Sequence, residues 1–165
     1  MPDVIFDNCV LSNFALSEAV HIIRRLYENT SFVTNFVVAE NMKGIIKGYN
    51  ELNKIREAIR EDWLKEVTLE GQEEKKLFES LSVSLGLGEA SSLAVAKTRG
   101  FIFACDDMVA RREAQLLNIK LTGTLGILIK AVKKRLIYQK EADRILARMV
   151  ENGFYSPIRS LKEIL

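Results

Sequence analysis

The chain has 165 residues, 48% hydrophobic and 28% charged, the make-up of one domain with a proper core, which excludes a disordered chain. Two cysteines and one histidine exclude a disulfide framework and a four-ligand zinc site built from them alone. The 24 basic and 22 acidic residues balance to +2, which neither demands nor forbids a nucleic-acid partner. The only histidine, His21, sits in a helical pattern among Val20, Ile22 and Ile23, a poor place for a catalytic triad. Any metal therefore falls to carboxylates, which favour a hard cation such as Mg²⁺ or Mn²⁺. No apolar run approaches the roughly 20 residues that span a bilayer. Met1-Pro2-Asp3 leads straight into a strand without the marks of a signal peptide, so a cytoplasmic address is expected.

Along the chain, Val4-Ile5-Phe6 reads as a strand buried on both faces and closed by Asp7-Asn8. Residues 11–29 are helical in pattern, with Leu16, Val20, Ile23 and Tyr27 on one stripe and Ser17 as an internal N-cap. Ser31-Phe32-Val33-Thr34 is a second strand, with Asn35 as the cap of the next helix. From 36 to about 62 helix signals dominate. Val38, Met42, Ile45 and Tyr49 make one stripe, Leu52, Ile55, Ile59 and Trp63 a second, and Gly48 and Asn50 mark a break between them. Residues 66–69 predict a third strand and 73–84 a helix with Leu77 and Leu81 inward. After the turn at 86–89, a small-residue helix starts at Ala90 and ends at Gly100. Residues 101–105 form a strand stopped by Asp106-Asp107, 108–117 a helix, and 119–122 the last strand. Helices follow over 125–134 and 139–151, the second with Ala142, Ile145, Leu146 and Met149 on one face, and Ser160 with Glu163 can form a capping box. Short apolar strands alternating with helices predict an α/β chain with a parallel sheet covered on both faces. It is one domain over 1–165, with 139–165 as a C-terminal helical extension.

Acids fall where such a fold keeps its chemistry. Asp7 ends the first strand, Asp106-Asp107 ends the strand from Phe101, and Glu89 opens the helix before that strand. If strand order switches between these two strands, the acids flank the crevice at the C-terminal sheet edge, and Glu40 approaches from the side. Clustered carboxylates repel unless a cation joins them, and two Mg²⁺ or Mn²⁺ ions could clamp a phosphodiester and activate water. Each acid also has a structural reading. Asp7 and Asp106 could be caps, Asp107 and Glu89 could favour a helix dipole, and Glu40 lies off the Val38-Met42-Ile45 stripe as a solvated residue would. Cys9 and Cys105 flank the same place and read as two small buried thiols.

These residues together resemble the PIN-domain nucleases, and within them a prokaryotic branch of undetermined function. The resemblance runs through Val4-Ile5-Phe6-Asp7-Asn8-Cys9-Val10-Leu11, then Val37-Val38-Ala39-Glu40, then the Leu-Gly-x-Gly-Glu-Ala motif from Leu85 into the helix to Ala96. It continues through Cys105-Asp106-Asp107-Met108-Val109-Ala110-Arg111 with Ala114, the Thr122 to Gly126 turn, and the tail from Gly153-Phe154-Tyr155 to Ile164-Leu165. It covers essentially the whole chain. It implies a three-layer α/β/α fold on a parallel sheet of four or five strands in the order 3-2-1-4-5. It also implies a metal-dependent ribonuclease, often the toxin of a toxin–antitoxin pair. Carried over position by position, Asp7, Glu40, Glu89 and Asp107 are the catalytic, metal-binding acids, with Asp106 an alternative or helper ligand. The chain departs from the family in having Cys9 and Cys105 where Ser or Thr is frequent, and Glu89 where many relatives have Asp.

The leading expectation is a Mg²⁺- or Mn²⁺-dependent endoribonuclease with an RNA substrate. Lys43, Lys47, Lys97, Arg99, Arg111 and Arg112 are the candidate phosphate contacts, although ordinary solvated charge explains any one of them. The alternative is a PIN-fold module that binds RNA or protein with little or no catalysis. A small-molecule phosphatase is disfavoured because neither a Gly-rich phosphate loop nor an Asp-x-Asp nucleophile is present. The two apolar stripes of 36–63 exceed what one small sheet face needs, which predicts a homodimer or a surface that receives an antitoxin segment.

Overall fold

The computed structural model describes residues 2–165. Five parallel strands pair in the order β3-β2-β1-β4-β5: β1 (Val4–Phe6), β2 (Ser31–Thr34), β3 (Leu64–Val67), β4 (Ile102–Ala104) and β5 (Leu121–Thr122). Parallel neighbours need crossovers, and helices supply them. These are α1 (Asn8–Leu16), α2 (Val20–Tyr27), α3 (Asn35–Ile46), α4 (Asn53–Arg60), α5 (Gly71–Leu81), α6 (Leu87–Arg99), α7 (Met108–Leu116), α8 (Thr124–Lys133) and α9 (Gln139–Glu151). The chain is α/β with the sheet between two helical layers.

Alternation along the strands builds two cores. Val4, Phe6, Val33 and Ala104 face one side, where α1, α2, α4, α8 and α9 bury Phe14, Ile23, Ile55, Leu128 and Met149. Ile5 and Phe103 face the other, against Leu93 of α6 and Ala110 and Ala114 of α7. The small residues Ala90 to Ala96 let α6 lie close on the sheet. α9 spans the residues expected of it and contributes Ala142, Ile145, Leu146 and Met149 to the first core. The capping box at Ser160 and Glu163 is formed. Among the described residues no helix is long and apolar enough to cross a membrane.

Six expectations are corrected. Residues 11–29 are two helices rather than one. The Ser17 hydroxyl, not an N-cap, donates back to the Asn13 carbonyl at 2.7 Å, and Glu18 turns left-handed at φ 59° to redirect the chain into α2. α3 is capped by Thr34, whose hydroxyl accepts from the Val37 N–H at 3.2 Å, so Asn35 is its first residue rather than its cap. The buried face of α3 runs through Val37 and Asn41, while Met42 and Tyr49 of the expected stripe are exposed. Asn41 is held inside because its amide donates to the Leu52 carbonyl, a polar contact that apolar periodicity does not register. β3 comes two residues early, and Trp63 precedes it in the core instead of belonging to α4. The Thr68 carbonyl, expected in that strand, instead accepts from Arg99 at 2.7 Å.

Candidate metal centre at the sheet switch point

β1 pairs with β2 on one side and β4 on the other, so the connections diverge there and open a crevice at the C-terminal edge. The Asp7 N–H donates to the Ala104 carbonyl at 2.9 Å, which ties the end of β1 to the end of β4. Asp7 and the Asp106-Asp107 pair are thereby neighbours.

Asp7 begins α1 with extended backbone, yet its side chain makes no cap hydrogen bond. Its carboxylate is 2% exposed. Burial raises its pKa to about 7, and the charges of Glu40, Asp106 and Asp107 push the same way against the Asn8 N–H. Glu89 sits in the first turn of α6, one residue after Gly88. Burial raises its pKa to about 7 as well, followed by the charges of Asp7 and Asp107, a hydrogen bond with Asp107, and Glu40. Glu89 Oε2 is buried without a hydrogen-bond partner. Glu40 reaches in from α3, where its Oε1 accepts from the Gly88 N–H at 3.2 Å. A Cβ at Gly88 would strike that oxygen, so the glycine is what lets α6 approach Glu40. Burial raises the Glu40 pKa, against the Gly88 N–H and the charge of Lys43 on the next turn.

The two acids after β4 divide their work. Asp107 Oδ2 caps α7 by accepting from the Ala110 N–H at 2.9 Å, while Asp107 also meets Glu89. Asp106 turns toward α8. Its Oδ1 accepts from the Thr124 N–H at 2.9 Å, and its Oδ2 accepts from the Thr124 hydroxyl at 2.5 Å and the Asn13 amide at 3.2 Å. Both oxygens of Asp106 are thus engaged, and sequence reading had not singled out Asn13 or Thr124 as its partners. The one trace of this network in the chain is Gly123, where a Cβ would lie 2.7 Å from Asp106 Oδ1.

Asp7, Glu40, Glu89 and Asp107 therefore face one crevice. Among the described residues no three His, Cys, Asp or Glu side chains close up as a ready-made metal group. Glu40 and Asp107 are engaged instead by the Gly88 and Ala110 N–H groups. The donor set still fits a hard divalent cation. Its donors are all oxygen, one buried oxygen lacks a partner, and two of the acids are raised partly by mutual repulsion. The Cys105 thiol stays protonated at neutral pH in the absence of a cation. Burial, then the charge of Asp7, pushes the Cys105 thiol far up. Cys105 is buried and stands 3.8 Å from Asp7 Oδ2 as a weak donor, whereas Cys9, expected to be buried, is exposed.

The candidate phosphate contacts separate. Lys43 stands by Glu40, Lys47 caps the end of α3 in solvent, and Arg112 is exposed on α7. Arg111 lies beside the crevice but donates to the Cys105 and Thr122 carbonyls at 2.6 and 3.1 Å, clasping the ends of β4 and β5. Lys97 and Arg99 were expected near the crevice. Both lie at the far end of α6, about 12–15 Å along its axis from Glu89. Lys97 donates to the Leu117 carbonyl, and Arg99 is bound by the buried Glu74 at 2.8 Å.

A family model described as a PIN domain matches residues 3–165. No curated protein matches the chain.

Proposed function

The chain belongs to the PIN-domain family, and from that premise we propose that it is a metal-dependent endoribonuclease. PIN domains are in general nucleases, act on nucleic acid and typically use divalent metals. The observation that carries the reading is the convergence of Asp7, Glu40, Glu89 and Asp107 at the switch point, with Asp7 and Glu89 both raised to about 7.

In this reading those four carboxylates hold Mg²⁺ or Mn²⁺. The ion, when bound, supplies a Lewis acid for the phosphoryl oxygens and an acidified water. The chain's own residues do the remainder. Gly88 and Ala110 orient Glu40 and Asp107 through backbone N–H groups. Buried Asp7 keeps bulk water from the inner wall. Glu89, raised to about 7 by burial and its neighbouring acids, would be held ionised by a bound cation and serves as one of its ligands. Lys43, beside Glu40, is the candidate phosphate contact next to the acids, and Lys47 and Arg112 are exposed and free to join it.

A toxin role with an antitoxin partner, and a homodimer, belong to the same proposal. The exposed side chains of Met42, Ile46 and Tyr49, at 40%, 82% and 54%, support an interface along α3. A second reading, a PIN module that binds RNA without cutting it, draws support from the absence of a closed ligand group among the described residues. Cleavage of a labelled RNA with and without Mn²⁺, by wild type and Asp7→Asn, separates the two. The nuclease reading expects Mn²⁺-dependent cleavage that the variant loses, whereas RNA binding without cleavage supports the second.

A further inference from the structure

Positive charge is unevenly spread over the chain. Residues 130–148 hold seven basic and two acidic side chains, a net +5, whereas the whole chain is +2, so the remainder is −3. The centre of this segment is the connection between α8 and α9. Lys133, Lys134, Arg135, Tyr138 and Lys140 are all exposed there, Tyr138 at 86%. Arg25 of α2 joins them by donating to the Leu136 carbonyl at 3.2 Å. Among the described residues none of these five cations has an ion-pair partner.

Local stability does not account for this cluster. Cations suit the last turn of α8, but Lys140 stands in the first turn of α9, where the helix dipole disfavours positive charge. Lys130 and Lys134 repel at i,i+4, as do Lys140 and Arg144. The crowding is felt, because Lys130 is pushed down by burial and by the charge of Lys134. Arg135 occupies a left-handed position at φ 59°, where glycine or asparagine would be at ease. Three local rules are broken within this short stretch, the pattern of a surface kept for a partner.

We propose that the α8–α9 connection, with Arg25, is a docking surface for the phosphate backbone of RNA, separate from the carboxylate pocket. Charge complementarity selects a polyanion. Tyr138, an exposed ring among cations, selects a nucleic acid with accessible bases, because stacking and backbone contact combine at single-strand sites. α8 links the two places. Its N-terminal Thr124 holds Asp106 at the crevice, and its far end, about 13 Å away, carries Lys133. A strand cut in the pocket can lie along α8 and be held here. This assignment rests on the ribonuclease reading for its purpose but not for its test.

The test is binding of a fluorescent 30-nucleotide single-stranded RNA, measured by anisotropy without divalent cation so that no cleavage enters. The full chain is compared with Lys133→Ala/Lys134→Ala/Arg135→Gly, with Tyr138→Ala, and with Lys75→Ala/Lys76→Ala, exposed lysines on α5. The triple variant should bind at least roughly tenfold more weakly, and its log Kd against log salt slope should flatten by about 2. Tyr138→Ala should lose roughly tenfold, and the α5 variant nothing. Arg135→Gly alone should raise Tm while weakening binding, a split that a structural role would not produce. Polyglutamate and phosphatidylserine vesicles are run in parallel. Equal RNA affinity in the triple variant overturns the proposal. So does a loss that is as large for polyglutamate or vesicles and indifferent to Tyr138, which would assign the surface to an acidic protein or a membrane. RNA binding that depends on this surface in a protein that never cleaves leaves the surface standing and removes the nuclease reading instead.

Discussion

Asp7 is the residue on which the site turns, and its burial gives it a testable signature. Its folded pKa of about 7 lies above the roughly 3.9 of an unfolded aspartate, so the native state holds the extra proton. Stability from this group is therefore present in full below about pH 4 and is lost as pH rises through about 7. Asp7→Asn removes that loss. In EDTA the variant should match wild type below about pH 4 and exceed it increasingly as pH rises to 8, by up to about 4 kcal/mol, in urea melts. A cap residue would give no such crossing, since Asn caps about as well as Asp. Glu74 works in the opposite sense. Burial raises it, but hydrogen bonds from Arg99, Thr98 and the Glu70 N–H, with the Arg99 charge, outweigh that and leave it lowered. Its contribution is present above about pH 4.3 and lost as pH falls below that. Arg99→Ala strands the 4%-exposed Glu74 and should cost on the order of 3 kcal/mol while leaving RNA affinity of the folded protein unchanged. A large affinity loss at full stability would return Arg99 to the phosphate contacts.

Elements show why part of the site could be read from the sequence and part could not. Asp7 and Asp106-Asp107 were legible because each closes a strictly apolar strand, and the 3-2-1-4-5 order then makes them neighbours. The alternative reading of Glu40 as a solvated residue rests on an α3 stripe phased one residue late. Asn41, buried through a backbone contact, carries no hydrophobic signal. The same blindness hid Asn13 and Thr124, polar residues whose partner lies 93 and 18 positions away. Lys97 and Arg99 were misjudged because sequence nearness to Glu89 ignores the length of α6. The packing of α6 on α3 yields its own prediction at Gly88. Alanine there gains helix propensity, and the nearest atoms it strikes belong to the movable end of Glu40. Gly88→Ala should stay within about 1 kcal/mol of wild-type stability yet displace Glu40, weaken the Mn²⁺-induced Tm rise and lower cleavage. An unaltered Mn²⁺ response would remove Glu40 from the ligand set.

At the scale of the molecule, one edge of the sheet gathers acids and the far end of α8 gathers cations, an arrangement suited to cutting a polyanion at one place and holding it at another. The exposed apolar side of α3 is the third surface. If it pairs two copies, Ile46→Glu, placed at an 82%-exposed position, should convert a dimer to a monomer by light scattering without lowering the monomer's melting temperature. A wild-type chain that is monomeric at high concentration would leave that face to an antitoxin segment. In the proposed reading, four carboxylates at the switch point hold the ion with which this chain cuts RNA. The most direct measurement is a Mn²⁺ titration of cleavage of a labelled single-stranded RNA, with Tm followed in the same samples, for wild type and Asp7→Asn. Saturable Mn²⁺-dependent cleavage and a Tm rise are expected in wild type, both lost in the variant while its fold persists. Equal cleavage and an equal Tm rise in the two proteins would contradict that reading.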